Sequence, residues 1–282
     1  MINNYKYFLL ENSDNLRQDT TLLSEDDLIY LLKKNCKNFN FNDTPIWRNT
    51  DLLQNNYLIN PKLHTRKSVM ISNYYTLLID NSPYWEGWPK RSKSIIGLLN
   101  NYTSVYGSEK FRLIPFDGAK IAVASKPDLW GSFTYLMDNL EIKIRYINII
   151  IRGLYNFYKE NINDNIELPN DDDFNNFKED MKPLEDMIRN IDNIKKTKLY
   201  MNSDCKTFYD KLFEEIKNGK TFVEFINEYL KPNENEFKLT NYKKLVKSKV
   251  YITGNEVWTD SKCLLIHAAN IENIKEKYDT RF

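Results

Sequence analysis

Apolar and polar positions divide the chain into three stretches, the outer two strand-bearing and the middle one helical. Near the start, Ser24-Glu25-Asp26-Asp27 reads as an N-cap with acids in the first turn, and Leu28, Ile29, Leu31 and Leu32 supply a helical stripe. A short strand is expected at Thr44-Pro45-Ile46-Trp47-Arg48, with the arginine at its end. Met70, Tyr74, Leu77 and Leu78 recur at helical spacing between Lys67 and Ile79, and Asp80-Asn81-Ser82-Pro83 ends that helix. After a loop rich in tryptophan and proline, Tyr84 to Pro89, the runs Ser94–Leu99, Phe111–Pro115 and Lys120–Ala124 read as strands. The last two are joined by a turn at Phe116-Asp117-Gly118-Ala119.

From Leu129 to about Leu230 the period changes. Phe133, Leu136, Leu140, Ile142, Ile144, Ile147 and Ile151 mark one long helix, with further helices around Met187–Ile194, Phe208–Ile216 and Thr221–Leu230. Asp171-Asp172-Asp173 is expected to be a solvated acidic loop or N-cap run. It lacks the spacing and glycine of a calcium loop. Pro232-Asn233-Glu234-Asn235-Glu236 breaks the pattern, and strands return at Lys249–Ile252, Glu256–Trp258 and Cys263–Ile266. No internal repeat is visible. A helical block of this length exceeds an ordinary connection and is expected to be a subdomain or an insertion.

Composition narrows the class. The 282 residues are 41% hydrophobic and 28% charged, enough apolar content for a real core and not the signature of a disordered chain. Forty Lys and Arg against 39 Asp and Glu leave a formal net charge of +1. That balance argues against strong non-specific attraction to nucleic acid, though it leaves room for a local basic patch. No apolar run approaches the roughly 20 residues of a membrane-spanning helix. Met1–Leu10 lacks the layout of a signal peptide, so no membrane partner is expected. Cys36, Cys205 and Cys263 are odd in number without metal-like spacing, and the two histidines, His64 and His267, stand apart from any cysteine pair. Neither a disulfide framework nor a metal is expected. His267, on an apolar segment, reads as a satisfied core histidine.

Three clusters could carry chemistry: Trp47-Arg48 at a strand end, Arg91-Ser92-Lys93-Ser94 entering a strand, and Gly254-Asn255-Glu256-Val257-Trp258, a carboxylate opening a strand after a glycine. If residues 92–94 are extended, Ser92 and Ser94 share a face. In this order the chain resembles the Arg–Ser–Glu class of ADP-ribosyltransferases, and the Pro-Lys-Arg-Ser-x-Ser stretch at residues 89–94 resembles phage-encoded members. The resemblance covers the two strand-bearing regions and says nothing about residues 131–245.

It implies an α+β fold: a split mixed or antiparallel β core of ADP-ribosyltransferase type, with a helical insertion and an N-terminal helix. The chain would be one such domain over 1–282, made of an N-terminal helical segment (1–43), a first strand-bearing half (44–130), the insertion (131–245) and a second strand-bearing half with the catalytic glutamate (246–282). The implied reaction moves ADP-ribose from NAD, a substrate, to a protein or nucleic-acid acceptor and releases nicotinamide. The implied place is the cytoplasm, of a bacterial host if the chain is phage-encoded. Glu256 would be catalytic, because breaking the nicotinamide–ribose bond builds positive charge that a carboxylate stabilises. Arg48 would grip phosphate with its planar fork, with Arg66 as the competing candidate. Ser92 and Ser94 would brace the site, and Tyr102 or Tyr106, in the expected mobile loop, would stack on nicotinamide.

The family's arginine-modifying members carry an acid or amide two residues before the catalytic glutamate, where this chain has Gly254. Arginine is therefore a disfavoured acceptor. Two other classes stay open. One is a non-catalytic interaction protein using the Tyr84–Pro89 loop as its binding patch. The other is an NAD glycohydrolase pairing Glu256 with Asp260 or Asp117; a two-carboxylate mechanism of the glycosidase kind needs the pair about 5–9.5 Å apart.

Overall fold

The computed structural model describes residues 20–63, 65–66, 72–100, 108–191, 205–248 and 254–280. The described residues form a mixed α+β protein that divides into two compact units. One comprises residues 1–69, 87–129 and 237–282, and the other residues 70–86 and 130–236.

The first unit is built on a nine-stranded sheet whose recorded pairings are all antiparallel. In chain order the strands are β1 (Thr20–Leu23), β2 (Ile46–Thr50), β3 (Asn56–Ile59), β4 (Ile95–Leu99), β5 (Glu109–Pro115), β6 (Lys120–Val123), β7 (Lys238–Asn241), β8 (Glu256–Thr259) and β9 (Cys263–His267). Their spatial order is β1-β3-β9-β5-β2-β4-β8-β6-β7. Helices α1 (Glu25–Asn35), α8 (Tyr242–Lys247) and α9 (Ile271–Thr280) belong to this unit. Leu28, Ile29 and Leu32 of α1, Tyr242, Leu245 and Val246 of α8 and Ile274 of α9 share one apolar core with Ile46, Ile95, Leu99, Phe111, Leu113, Val123 and Val257 of the strands. Ser24 caps α1 as expected, its hydroxyl accepting from Asp27 N at 3.1 Å.

The second unit is helical: α2 (Tyr74–Asn81), α3 (Thr134–Leu140), α4 (Tyr146–Asn161), α5 (Phe174–Asn190), α6 (Lys206–Lys217) and α7 (Phe222–Tyr229). The single long helix expected over 133–151 is two helices. Glu141 adopts a left-handed conformation (φ 56°) that ends α3, and Lys211 Nζ donates to the freed Asn139 carbonyl at 2.7 Å. The apolar period runs through the break because Ile142 and Ile144 are buried as well, so the pattern alone hides it. Asp173 caps α5, accepting from Asn175 N and Asn176 N at 2.9 Å, while Asp171 accepts from Asn73 N at the start of α2. The acidic run is thus a pair of helix anchors. Glu185 of α5, buried, accepts from Phe222 N at 2.7 Å, and a Thr221–Glu224 capping box completes the N-terminus of α7.

Strands β1, β3 and β7 and helices α8 and α9 were not expected from the sequence pattern. Each is short, or too polar to show a period. The strand expected at 249–252 lies outside the described residues, as does the part of the helix expected at 67–79 that precedes Ser72.

One residue sets how closely β2 and β4 approach. A Cβ added at Gly97 would fall 2.6 Å from Ile46 Cγ2, 3.1 Å from Trp47 O and 3.3 Å from Leu113 Cδ2. Gly97→Ala should therefore overpack the centre of the sheet and cost about 1–3 kcal/mol. An unchanged urea midpoint would show that this contact is not tight.

Candidate functional site

β8 lies between β4 and β6, and its register sets Glu256 opposite Leu98 and Trp258 opposite Ile96. Gly254 (φ 91°) turns the chain into β8, its N–H bonded to Leu99 O at 2.6 Å. Strand alternation then sends Val257 into the apolar core and the Glu256 and Trp258 side chains to the opposite face. There the Glu256 carboxylate is fully buried. Its Oε1 lies 2.7 Å from Arg91 Nη2, with side-chain exposures of 0% and 4%, and Leu129 N donates to Oε2 at 3.4 Å. The Arg91 guanidinium sits 5.3 Å over the Trp258 ring, whose indole N–H donates to Pro89 O at 3.1 Å.

Burial pushes the Glu256 pKa from 4.5 up to about 7, against the opposing pull of Arg91; Asp128 adds a further push upward. Desolvation and the ion pair thus act in opposite directions, and desolvation wins. The carboxylate is poised to change charge near neutral pH, which is the condition for acid–base or charge-stabilising work.

The other expected site residues are distributed as follows. Arg48, in β2, is buried, and its Nη1 donates to the Ile96 carbonyl of β4 at 3.2 Å. Arg66 is buried and lies outside any helix or strand. Its backbone N–H donates to Ser92 O at 2.7 Å, so the alternative phosphate candidate adjoins the expected bracing serine and not Arg48. The expectation that Ser92 and Ser94 share a strand face is corrected. Arg91–Lys93 is a single 3-10 turn, and only Ser94, at its end, is extended. The Ser94 hydroxyl is buried and spent on Lys90 O at 2.6 Å. The extended run of β4 starts only at Ile95, after this turn. Tyr102 and Tyr106 lie outside the described residues.

Sequence reasoning passed over Arg91 and Asp128. Arg91 stood inside the quoted Arg-Ser-Lys-Ser cluster, one residue before the serine that drew attention. Asp128 lies in an irregular stretch with no pattern to single it out. A further group with altered acidity is Lys110 of β5, which burial lowers to about 8 and which lies 4.5 Å over the Trp47 ring.

Of the acids considered as partners for Glu256, Asp117 is committed to Lys37 N and Asn38 N, and Asp260 pairs with Lys62 at 3.2 Å. Trp85, central to the expected binding patch, is buried and donates to Leu230 O at 2.7 Å. His267 is the satisfied core histidine expected, bonded to Glu109 Oε2 at 2.9 Å and accepting from Ala269 N. Among the described residues no group of three or more His, Cys, Asp or Glu could hold a metal ion, and no helix is long and apolar enough to cross a membrane. Compared with known proteins, the chain matches no family model, no curated protein and no solved structure.

The raised pKa has a defined stability signature. A carboxyl whose folded pKa lies above its unfolded value holds its proton more tightly when folded. Its contribution is therefore greatest below pH 4.5 and is lost as pH rises through about 7. Glu256→Gln should flatten that segment of the stability curve. Arg91→Met should raise the Glu256 pKa further, so that stability keeps falling above pH 7, by up to about 3–5 kcal/mol relative to wild type for a broken buried pair. Urea melts at pH 5, 7 and 8.5 check this; a wild-type-to-Arg91→Met gap independent of pH would refute the pairing as its cause.

Proposed function

We propose that this chain is a mono-ADP-ribosyltransferase, moving ADP-ribose from NAD to a protein or nucleic-acid acceptor with release of nicotinamide. The reading rests on the order and chemistry of the Arg, Ser and Glu motifs. One observation supports it most: Arg48, Ser94 and Glu256 fall on or beside β2, β4 and β8, three consecutive neighbours in the sheet. Residues more than 200 positions apart in sequence thereby lie on adjacent strands; by strand alternation Ser94 and Glu256 share a face, while Arg48, in phase with Ile46, is on the apolar one.

In the proposed reaction the bond between ribose C1′ and the nicotinamide nitrogen breaks, and nicotinamide leaves with the electron pair. An acceptor lone pair closes on C1′ and its proton passes to solvent. Glu256, ionised, stabilises the positive charge that develops on the ribose. Arg91 supports that ionisation from 2.7 Å. Trp258, beneath Arg91, keeps the guanidinium from swinging freely. Arg48 is anchored to β4 through Ile96 O and, in phase with Ile46, faces away from Glu256, so it takes no part in the proposed charge stabilisation. A deprotonated Glu256 is required, so turnover should rise with pH through about 7, the value to which burial lifts this group.

One observation favours a second, non-catalytic reading: a carboxylate with no exposed surface, facing an arginine nearly as buried, also has the geometry of a purely structural ion pair. The buried Trp85 removes the centre of the patch on which an interaction protein would otherwise rely.

Incubation with labelled NAD, alone and with bacterial lysate, separates the two. Nicotinamide release and label transfer are expected from the wild type, with release falling by about 100-fold or more in Glu256→Gln. That variant should keep its circular dichroism spectrum and bind NAD by calorimetry. Neither release nor NAD binding by the wild type would leave Glu256 and Arg91 as a structural pair.

A further inference from the structure

β7 is an edge strand of the sheet, paired on one side with β6 and, among the described residues, with no strand on the other. It runs directly into α8, capped by Asn241, whose side chain accepts from Lys244 N at 3.0 Å. The six residues of α8 divide cleanly. Tyr242, Leu245 and Val246 are buried in the core, and the three exposed positions are Lys243, Lys244 and Lys247. Lys238, which opens β7, is exposed as well. From Phe237 to Ser248 there are four lysines and neither an aspartate nor a glutamate.

Several other lysines of the fold have charged or aromatic partners. Lys277 pairs with Glu25, Lys182 with Glu179, Lys220 with Glu215 and Lys231 with Glu228. Lys33 and Lys34 lie against Tyr278 and Tyr30. The four lysines of β7 and α8 make no ion pair among the described residues. The nearest acid along the chain is Glu236, before β7 begins. Ordinary roles account for part of the pattern: a lysine on an edge strand discourages edge-to-edge pairing, and lysines in a last helical turn suit the macrodipole. Those roles do not require every exposed position of α8 to be cationic.

We propose that the β7–α8 edge is a docking surface for the phosphate backbone of a nucleic acid. Lys243 and Lys247 are one helical turn apart, with Lys244 beside them, and Lys238 extends the row along the strand. Lysine ammoniums act as point charges without a planar fork, so they engage phosphates and carry no base preference. The apolar residues of α8 are turned into the core. This helix therefore has no exposed apolar face to insert into a lipid surface, which favours a nucleic acid over a membrane. The inference is independent of the NAD reading.

The test is fluorescence anisotropy of the full chain with labelled 20-nucleotide single-stranded and duplex oligonucleotides from 50 to 200 mM salt. Four phosphate contacts should weaken binding about 50-fold for single strands and about 150-fold for duplex across that range, whatever the sequence. Lys243→Glu, Lys244→Glu and Lys247→Glu together should abolish most of the binding and flatten its salt dependence. The matching Lys→Arg triple should retain it. Lys143→Glu, Lys159→Glu and Lys178→Glu, three exposed positions of the helical unit, change net charge equally and should leave binding intact. The proposal is overturned if oligonucleotides do not bind at 50 mM salt. Equal loss in the control triple, or binding to phosphatidylserine vesicles in place of oligonucleotides, would overturn it as well.

Discussion

A carboxylate removed from water must be protonated or given a cation, and the middle of the sheet is arranged around meeting that demand at Glu256. Arg91 supplies the cation, but a guanidinium at 4% exposure carries a desolvation cost of its own. The cost is offset by the Trp258 ring beneath it and by the short distance to Glu256 Oε1. Trp258 is in turn fixed through its indole N–H at Pro89 O, immediately before the turn that carries Arg91. Glu256, Arg91 and Trp258 are therefore a closed set of mutual supports. Two lie on one strand and the third on the turn entering its neighbour. The register of β4 against β8 is consequently an electrostatic matter as well as a backbone one: a slip of one residue would put Glu256 into the apolar core and Val257 against an unpaired arginine.

Close approach of β2 and β4 is what lets Arg48 reach the β4 backbone. The strands tolerate that approach because position 97 has no side chain, and Arg48 then bonds across to the β4 backbone at Ile96 O. Charge and packing depend on each other here. A bulkier residue at 97 would move the strand that carries one arginine relative to the strand that faces the glutamate.

Much of this was legible in the sequence, for identifiable reasons. β4, β5, β6 and β9 announced themselves through short apolar runs between turn residues, β2 and β8 through an apolar pair ending in tryptophan, and α1 because Ser24 and its acids form a strong start signal. The order of Arg48, Ser94 and Glu256 was readable too. What could not be read was any contact between distant segments. Ser92 and Ser94 looked like a strand pair, since nothing in Arg-Ser-Lys-Ser betrays a 3-10 turn; the role of Arg91 depends on Glu256, 165 positions later in numbering. The break at Glu141 was invisible for the opposite reason: local burial of Ile142 and Ile144 imitates a continuing helix while a lysine from α6 caps the end. Short elements such as α8 and β7 fell below the length at which any period can be counted.

The net charge of the chain hides how its charges are sorted. Near-neutrality argued against attraction to a polyanion, and that inference holds only if positive and negative groups are mixed at every point of the surface. They are mixed in α1, where three acids open the helix and two lysines close it, and in α5, where Lys182 and Arg189 pair with acids three residues before them. They are not mixed along residues 237–248, which hold four lysines and no acid. Beyond about 8 Å at physiological salt the compensating acids elsewhere are screened, so a bound polyanion would respond to the local sum and not to the total. A chain with a net charge of +1 can therefore still present a locally cationic edge.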